Sequence, residues 1–447
     1  MTIIDILKVT NGKLIKNFNI NKKLGSISID SRTLKENDVF LCIKGNNFDG
    51  HDFIKEAIDK KVSCIIVEND IGKIKSKIPI IKVESTKEAL ISLAYFYKRQ
   101  YHPYVIAITG SVGKTTTKEL ISKILEKKYN VLKNIGNQNN HIGLPLTLLK
   151  LNKEIDVIVT ELGMNHKGEI HKLSNLVNPD IGVITNIGTS HIGNLGSKKD
   201  IYEAKLEIVD GMNNGYLIVN GDDSYLKKII KKDNINYLRV GKKKYNDLYY
   251  TNIKTTFEGT TFNLHYKKKK YKVFFKVPGI HLINNVLLAI KTCLIYGMKM
   301  DEIIEALNDF TMLDGRMKIS TYNNITIIND AYNASYESIK GSIDLLNTKK
   351  TSKLVILGDV LELGEHSKKI HQKIGKLLNK KNTKVFLVGK EMEILKDKYL
   401  HFKDNDSLWK YIEENDVIIP NMTILVKASH SMHLEEIVKK IEEKLRI

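Results

Sequence analysis

The chain has 447 residues, of which 42% are hydrophobic and 27% charged, so a wholly disordered protein is excluded and several domains are allowed. Its 71 Lys and Arg residues outnumber 51 acidic residues, and the net charge of +20 suggests nucleic acid, an acidic membrane surface or an anionic small molecule as partner. Only five of the basic residues are arginines, and such a bias toward lysine is also typical of AT-rich coding.

Cysteine usage and hydropathy favour a cytoplasmic protein without a membrane partner. Cys42, Cys64 and Cys293 form no CxxC pair, so neither a zinc site nor a disulfide framework is indicated. The N-terminus lacks the basic segment and uninterrupted apolar core of a signal peptide. No apolar run approaches the length of a membrane helix.

The first 100 residues predict a small α/β domain. Short β-rich runs occur at residues 26–30, 39–43, 64–67 and 78–83. Helical patterns occur between and after them, at residues 51–59 and 86–99. Pro103 disfavours continuation of the last helix, so we expect a domain boundary near residue 101.

Residues 101–312 predict a larger α/β domain with a parallel sheet, because apolar strands alternate with helices. The strands are expected at residues 105–108, 155–159, 181–184 and 216–219. Alternating Thr, Phe, Tyr and Lys over residues 248–277 instead indicate an antiparallel meander. The lysine run 267–270 within it could contact nucleic acid, but lysines suit an exposed hairpin tip, which we favour.

Residues 313–447 predict a third α/β domain, of Rossmann-like type. Its strands are expected at residues 325–328, 354–357, 385–388 and 423–426, with helices between them.

The strongest motif is a glycine-rich turn between the strand at 105–108 and an amphipathic helix. It comprises Thr109, Gly110, Ser111, Val112, Gly113, Lys114, Thr115 and Thr116. Such a loop lets backbone N–H groups and a helix N-terminus approach phosphate oxygens. Lys114 would neutralise the phosphates and Thr115 would bind Mg²⁺, so we predict ATP binding with Mg²⁺ rather than a generic turn.

Polar clusters follow two further strands of the same predicted sheet, at residues 160–166 and 185–191. Glu161 in the first cluster could reach the metal held by Thr115. His191 in the second is either structural or a ligand, and the pattern leaves both open. Asn140 lies in the polar stretch 137–145, which either contacts substrate or caps a helix.

Together these segments resemble the Mur ligase family. The resemblance rests on TGSVGKTTTKE, NQNNHIGLP, TELGMNHKGEI, ITNIGTSHIGNLGS, PGIHLINN, GRMK, NDAYNAS and LGDVLELGEHS, in this order. It implies three domains: residues 1–100 for the UDP-linked substrate, 101–312 for ATP and 313–447 for ligation. The activity implied is ATP-dependent joining of D-alanyl-D-alanine to UDP-N-acetylmuramoyl-tripeptide through an acyl phosphate, in peptidoglycan precursor synthesis, by a cytoplasmic monomer that needs neither nucleic acid nor membrane. Another Mur-type ligase, and more remotely a basic P-loop NTPase acting on nucleic acid, stay open as alternatives.

The resemblance also assigns residues in the central domain. Lys114, His191 and Lys205 become catalytic residues, and Thr115, Glu161, His191 and Lys205 become metal ligands for what would be two Mg²⁺ ions. Lys205 would act as a carbamate, which turns its cation into a carboxylate-like ligand, whereas its pattern alone indicates a solvated helix residue.

The remaining assignments concern nucleotide and substrate. Asn285 would contact adenine, Arg316 the γ-phosphate in a catalytic role, and Asp330 the ribose. The substrate contacts implied are Ser31, Arg32, Asn140, Thr189 and Ser190. The chain departs from the family pattern at Leu282, Ser335, Tyr336 and His430, and the last of these, where the family has arginine, leaves the anchor of the dipeptide open.

Overall fold

In the computed structural model, three sheets follow one another along the chain, and each is covered by helices. The structure describes residues 1–15, 24–45, 47–72, 77–229, 233–379 and 382–446. Within these ranges, none of the helices is both long and apolar enough to cross a bilayer.

The first unit has a five-stranded sheet in the described residues, in the order β1-β5-β4-β3-β2, with only β1 antiparallel to its neighbour. Its strands are β1 (Lys13–Leu14), β2 (Ile27–Ser28), β3 (Val39–Leu41), β4 (Cys64–Val67) and β5 (Ile80–Lys82). Its helices are α1 (Ile3–Thr10), α2 (Ile54–Asp59) and α3 (Thr86–Lys98). Ser85 caps the last of these, since its side chain accepts a hydrogen bond from the Glu88 N–H.

The central unit has nine strands in its described part, in the order β14-β13-β12-β11-β10-β9-β6-β8-β7. They are β6 (Tyr104–Thr109), β7 (Val131–Lys133), β8 (Val157–Glu161), β9 (Ile181–Ile184), β10 (Gly215–Asn220), β11 (Ile235–Gly241), β12 (Leu248–Thr256), β13 (Gly259–Tyr266) and β14 (Lys269–Phe275). The helices are α4 (Lys114–Leu125), α5 (Gly143–Leu148), α6 (Glu169–Val177), α7 (Ile192–Leu195), α8 (Lys198–Leu206), α9 (Ile283–Tyr296) and α10 (Met300–Asn308).

The antiparallel meander predicted for residues 248–277 is present. Strands β12, β13 and β14 pair antiparallel and extend the parallel sheet at one edge. Lys267 and Lys268 form the turn between β13 and β14 with φ of 45° and 65°, which is typical of a tight hairpin. The lysine run is therefore an exposed hairpin tip, as expected.

The C-terminal unit has a six-stranded sheet in the described residues, in the order β15-β16-β20-β17-β18-β19, parallel except for the β15–β16 pair. Its strands are β15 (Lys318–Tyr322), β16 (Ile325–Asn329), β17 (Ser352–Gly358), β18 (Thr383–Val388), β19 (Leu400–Phe402) and β20 (Met422–Lys427). Its helices are α11 (Tyr336–Leu346), α12 (Ser367–Leu378), α13 (Asn405–Glu414) and α14 (Glu435–Arg446). The α/β architecture expected from the sequence is thus confirmed.

Burial explains why the parallel strands are so apolar. The side chains of β4, β9 and β20 are all buried, because helices cover both faces of each sheet. One apolar cluster continues from the central unit into the C-terminal unit and includes Leu144, Ile192 and Leu363. This arrangement brings the carboxyl ends of β6, β8 and β9 to a cleft that the other two units close.

Candidate active site between the three units

A cavity of about 830 Å³ lies at the carboxyl ends of the central strands and is lined by all three units. Helix α3 of the first unit contributes Lys87 and Glu88, and the C-terminal unit contributes Lys427. The predicted residues that line it are Ser111, Val112, Gly113, Lys114, Thr115, Thr116, Asn140, Glu161, Ser190, His191, Asn285, Arg316 and Asp330. Sequence clusters that are far apart along the chain thus share one cavity.

The glycine-rich turn connects β6, which ends at Thr109, to α4, which begins at Lys114. The loop after β9 holds it in place. The Asn186 side chain accepts a hydrogen bond from the Val112 N–H at 3.1 Å and donates to the Val112 carbonyl at 2.8 Å. Thr185 Oγ1 donates to the same carbonyl at 2.6 Å. The loop is therefore shaped before any phosphate binds.

Gly110 must be glycine because the backbone and Thr185 leave no room for a side chain. Its φ is 145°, and a Cβ there would lie 1.8 Å from Thr185 Oγ1. Thr109 Oγ1 donates to the Leu162 carbonyl at 3.1 Å. Thr109 and Gly110 thus anchor the loop at the end of the strand.

A hydroxyl and a carboxylate meet at the start of α4. Thr115 Oγ1 donates to Glu161 Oε2 at 2.6 Å, and Lys114 Nζ lies 4.0 Å from Glu161 Oε1. Arg316 of the C-terminal unit donates from Nη2 to Thr115 Oγ1 at 3.1 Å. Burial lowers the pKa of Lys114, with Arg316 nearby acting in the same direction. Two basic side chains therefore flank the Thr115–Glu161 pair.

These residues fit a hard divalent cation. Glu161 is buried and presents carboxylate oxygens beside the Thr115 hydroxyl, which is the donor chemistry that Mg²⁺ prefers. Across the described ranges, no three His, Cys, Asp or Glu side chains converge as a ready-made metal site. A metal here would thus take most of its other ligands from phosphate or water.

Lys205 differs from what its own pattern indicates. It lies on α8 with 1% of its surface exposed, not on a solvated helix face. Burial lowers the pKa of its amine well below the usual range, and the charge of nearby Lys114 adds to this. Lys205 is thus a buried amine beside the phosphate loop.

His191 lines the cavity and has a left-handed backbone with φ of 63°. Its Nδ1 lies 2.7 Å from Oε2 of Glu362, which belongs to the C-terminal unit and also has a positive φ of 62°. The closeness of His191 lowers the pKa of the Glu362 carboxyl. A residue of the central cavity is thus tied to the C-terminal unit.

The C-terminal unit presents polar groups to the cavity. Asp330 Oδ2 accepts from Lys427 Nζ at 2.6 Å and from Ser342 Oγ at 2.6 Å. Arg316 lies over the Tyr332 ring, 4.1 Å from its centroid. Asn285, on α9, lies on the opposite, central side.

The departures from the family pattern have local explanations. Leu282 is buried in the core of the central unit. Ser335 caps α11, because its side chain accepts from the Ser338 N–H. His430 packs on Tyr332 with ring centroids 5.0 Å apart, so it extends the Arg316–Tyr332 stack.

Among the predicted substrate contacts in the described ranges, Ser31, Arg32 and Thr189 do not line this cavity, and neither do Thr109, Gly110 and Lys205 among the other predicted site residues. Ser31 Oγ donates to Glu56 Oε2 at 2.7 Å. Arg32 pairs with Asp30 at 2.8 Å, although 85% of its side chain is exposed, and this pair lowers the pKa of Asp30 to about 2. Thr189 Oγ1 donates to Glu337 at 2.9 Å. Their substrate contacts stay predictions.

Asn140, which does line the cavity, also caps a helix. Its Oδ1 accepts from the Gly143 N–H at 2.9 Å and from the Ile142 N–H at 3.1 Å. A capping role is thus present, and a substrate contact is compatible with it.

Three polar residues of the site were not among the predicted ones. Asn139 donates to Glu161 Oε1 at 2.9 Å, and its position in the polar stretch 137–145 was the available signal. Lys427 lies three residues before His430, and nothing in the local sequence pattern indicates its bond to Asp330. Glu362 reaches His191 only through the docking of two units, which no local pattern indicates.

Comparisons with known proteins agree over the whole chain. Family models match in three parts: "Mur ligase family, catalytic domain" at residues 23–98, "Mur ligase middle domain" at 108–293 and "Mur ligase, glutamate ligase domain" at 315–430. The UDP-N-acetylmuramoyl-tripeptide–D-alanyl-D-alanine ligase of Bacillus subtilis is 35% identical, covering 99% of this chain and 98% of the relative.

Two solved structures are similar throughout. MurF from Acinetobacter baumannii has a TM-score of 0.90 and 29% identity, covering 99% of this chain and 98% of that one. The MurF ligase from Thermotoga maritima in complex with ADP has a TM-score of 0.86 and 29% identity, covering 94% of this chain and 98% of that one.

Proposed function

Because the chain belongs to the Mur ligase family, we propose that it joins D-alanyl-D-alanine to UDP-N-acetylmuramoyl-tripeptide at the expense of ATP, in peptidoglycan precursor synthesis. The observation that carries the proposal is the group formed by Lys114, Thr115, Glu161 and Arg316 at the phosphate loop, inside a cavity that three units share. This group suits a triphosphate, and residues of all three units line the cavity around it.

ATP would bind with its phosphates on the loop 109–116. Backbone N–H groups and the N-terminus of α4 would hold the phosphate oxygens, and Lys114 would neutralise them. Asn285 would face the adenine and Asp330 the ribose. Arg316 would reach the γ-phosphate from the C-terminal unit, where it already contacts Thr115.

Mg²⁺ would be held by Thr115 and Glu161, with His191 and Lys205 as candidates for a second ion. When bound, it would neutralise charge on the transferring phosphoryl group. For Lys205 to take part, its uncharged amine would add to CO₂ and release a proton, giving a carbamate. The burial of Lys205 on α8, with 1% of its surface exposed, supports the assignment.

The reaction would proceed in two transfers. A terminal carboxylate oxygen of the tripeptide attacks the γ-phosphorus, the bond to the β–γ bridging oxygen breaks, and ADP leaves. The amine of D-alanyl-D-alanine then attacks the acyl carbon, loses a proton and expels phosphate through a tetrahedral intermediate. Lys114 and Arg316 stabilise the phosphoryl charge, and closure of the three units keeps water from the acyl phosphate.

We assign the three domains to residues 1–100, 101–312 and 313–447, and the UDP moiety to the first. Ser31 and Arg32 are the candidate contacts there, and Asn140, Thr189 and Ser190 those nearer the reacting end. We also propose a cytoplasmic monomer.

The decisive experiment measures ADP release with UDP-N-acetylmuramoyl-tripeptide, with and without D-alanyl-D-alanine. We expect release to depend on both, and Lys114→Ala to abolish it because the phosphate charge is no longer neutralised. An exposed lysine of the same helix, Lys123, gives the matched control Lys123→Ala, which should keep full activity. Normal turnover by Lys114→Ala would refute the phosphate role.

A panel of acceptors separates the proposed reaction from its alternatives. Ligation of single amino acids in place of the dipeptide would identify another Mur-type ligase. ATP hydrolysis stimulated by DNA or RNA, with a steep loss of binding as salt rises, would identify a nucleic-acid NTPase. We expect neither result.

A further inference from the structure

One completely buried lysine takes no part in the proposed mechanism. Lys118 lies on α4, one turn beyond the phosphate loop, and none of its side chain is exposed. Its Nζ donates to the main-chain carbonyl of Asn134 at 2.5 Å and lies 3.0 Å from Glu119 Oε1. Burying an ammonium group costs desolvation free energy, so we expect one only where hydrogen-bond and ionic partners offset that cost.

Asn134, the partner of Lys118, binds the main chain of the predicted metal ligand. Its side-chain oxygen accepts from the Glu161 N–H at 2.9 Å, and its amide nitrogen lies 3.4 Å from the Glu161 carbonyl. The same nitrogen donates to the Gln138 carbonyl at 3.0 Å. Asn134 therefore connects the end of β8 to the polar stretch 137–145, to which Gln138 belongs.

That polar stretch also reaches the Glu161 carboxylate. Asn139 Nδ2 donates to Glu161 Oε1 at 2.9 Å, and the Asn139 carbonyl accepts from the Gly163 N–H at 2.8 Å. Oε2 is then left to face Thr115 Oγ1. Glu161 is thus fixed at its main chain by Asn134 and at one carboxylate oxygen by Asn139.

We propose that Lys118 and Asn134 are positioning residues for Glu161: the Lys118 ammonium holds Asn134, and Asn134 sets where the Glu161 carboxylate points. The inference rests on the proposed function, in which Glu161 binds Mg²⁺. Removing the ammonium leaves the Asn134 carbonyl buried without its donor, so residue 134 shifts and takes Glu161 with it. Groups that orient a metal ligand typically change metal affinity about 10–100-fold when they are lost.

The test measures Mn²⁺ binding by electron paramagnetic resonance, with ADP present and no turnover. Lys118→Met keeps an unbranched side chain, one atom shorter, and lacks the charge. Asn134→Ala keeps the main-chain carbonyl that Lys118 contacts and removes the side-chain bonds to Glu161, together with those to Thr160 and the Gln138 carbonyl. Lys123→Met, on the exposed face of the same helix, is the control.

We expect the Mn²⁺ Kd to rise about 10–100-fold in both variants and to stay unchanged in the control. Melting temperatures measured alongside identify a purely structural role, which would lower stability but leave the Kd of the folded protein as it was. If Lys118→Met does not fold, Asn134→Ala alone decides. An unchanged Kd in Asn134→Ala overturns the inference, whereas absence of Mn²⁺ binding in the unmodified protein overturns the proposed metal site itself.

Discussion

Three basic side chains surround one carboxylate at the phosphate loop. Lys114, Lys205 and Arg316 lie near Glu161, and burial lowers the pKa of both lysines. Without a ligand, this cluster lacks the negative charge that would stabilise it. A triphosphate supplies that charge, and a carbamate on Lys205 would supply part of it, so the site is electrostatically suited to ligands rather than to self-pairing.

The carbamate on Lys205 leads to a prediction about chemical rescue. Lys205→Ala should lose most of its ligase activity, because the site lacks the proposed carboxylate-like group. Acetate or formate in the buffer should restore part of that activity by entering the space left by the side chain. Lys199→Ala, on the exposed part of the same helix, should behave like the unmodified protein. Full activity in Lys205→Ala would show that no carbamate is needed.

At the level of elements, the fold was largely predictable where strands are apolar throughout. The strands predicted at 64–67 and 181–184 are β4 and β9 without any shift in bounds. Strands β7, β11 and β15 were not predicted, since their side chains are mostly half-buried or exposed and show no apolar run. Local pattern does not encode pairing with a neighbour, which is what makes these segments strands.

Like the fold, the candidate site could be predicted where it depends on apolar parallel strands, but not where it depends on contacts between distant segments. Lys114 and Thr115 come after β6 and Glu161 ends β8, so they converge because the carboxyl ends of these parallel neighbours share an edge. Burial of Lys205 and the Glu362–His191 contact arise from helix packing and from docking of two units. No spacing rule indicates either, and for Lys205 only the family resemblance pointed to the site.

The loop after β9 shapes the phosphate loop, and this predicts the effect of a methyl group at Gly110. Gly110→Ala would bring its Cβ to 1.8 Å from Thr185 Oγ1, so the loop must move. Its N–H groups would then no longer point at the phosphate oxygens. We expect ATP binding, measured by calorimetry, to be lost or severely weakened.

The control for this prediction is Gly297→Ala, at the end of α9. Its φ of 113° imposes comparable backbone strain, about 1–2 kcal/mol, but no atom lies within 4 Å of the added Cβ. This variant should lose stability and keep its affinity for ATP. Equal ATP affinity in both variants would show that contact with Thr185 is unimportant.

At the scale of the whole molecule, contacts between the central and C-terminal units surround the cavity. Arg316 reaches Thr115, Glu337 accepts from Thr189, and Glu362 lies against His191. The Gly193 N–H donates to the Glu362 carbonyl at 3.1 Å, so main chain meets main chain there. The active site is therefore complete only while these two units are docked.

Gly193 provides a direct test of this dependence. A Cβ at that position would lie 2.6 Å from the Gly364 nitrogen and 2.8 Å from the Glu362 oxygen, both in the C-terminal unit. Gly193→Ala should therefore hold the units apart, since a main-chain contact cannot yield as a flexible side chain can. We expect a larger radius of gyration by small-angle X-ray scattering with ATP bound, and kcat lower by up to about 10²-fold because Arg316 is misplaced.

The matched control is Asn194→Ala, at the next position of α7, where the side chain is exposed. It should keep both the radius of gyration and kcat, because it adds no atom to the interface. ATP affinity should fall less than kcat in Gly193→Ala, since the phosphate loop and its supporting residues belong to the central unit and only the contacts from Asp330 and Arg316 are lost. A compact, fully active Gly193→Ala protein would mean that the interface can rearrange around a methyl group, and that docking through Gly193 is not what completes the site.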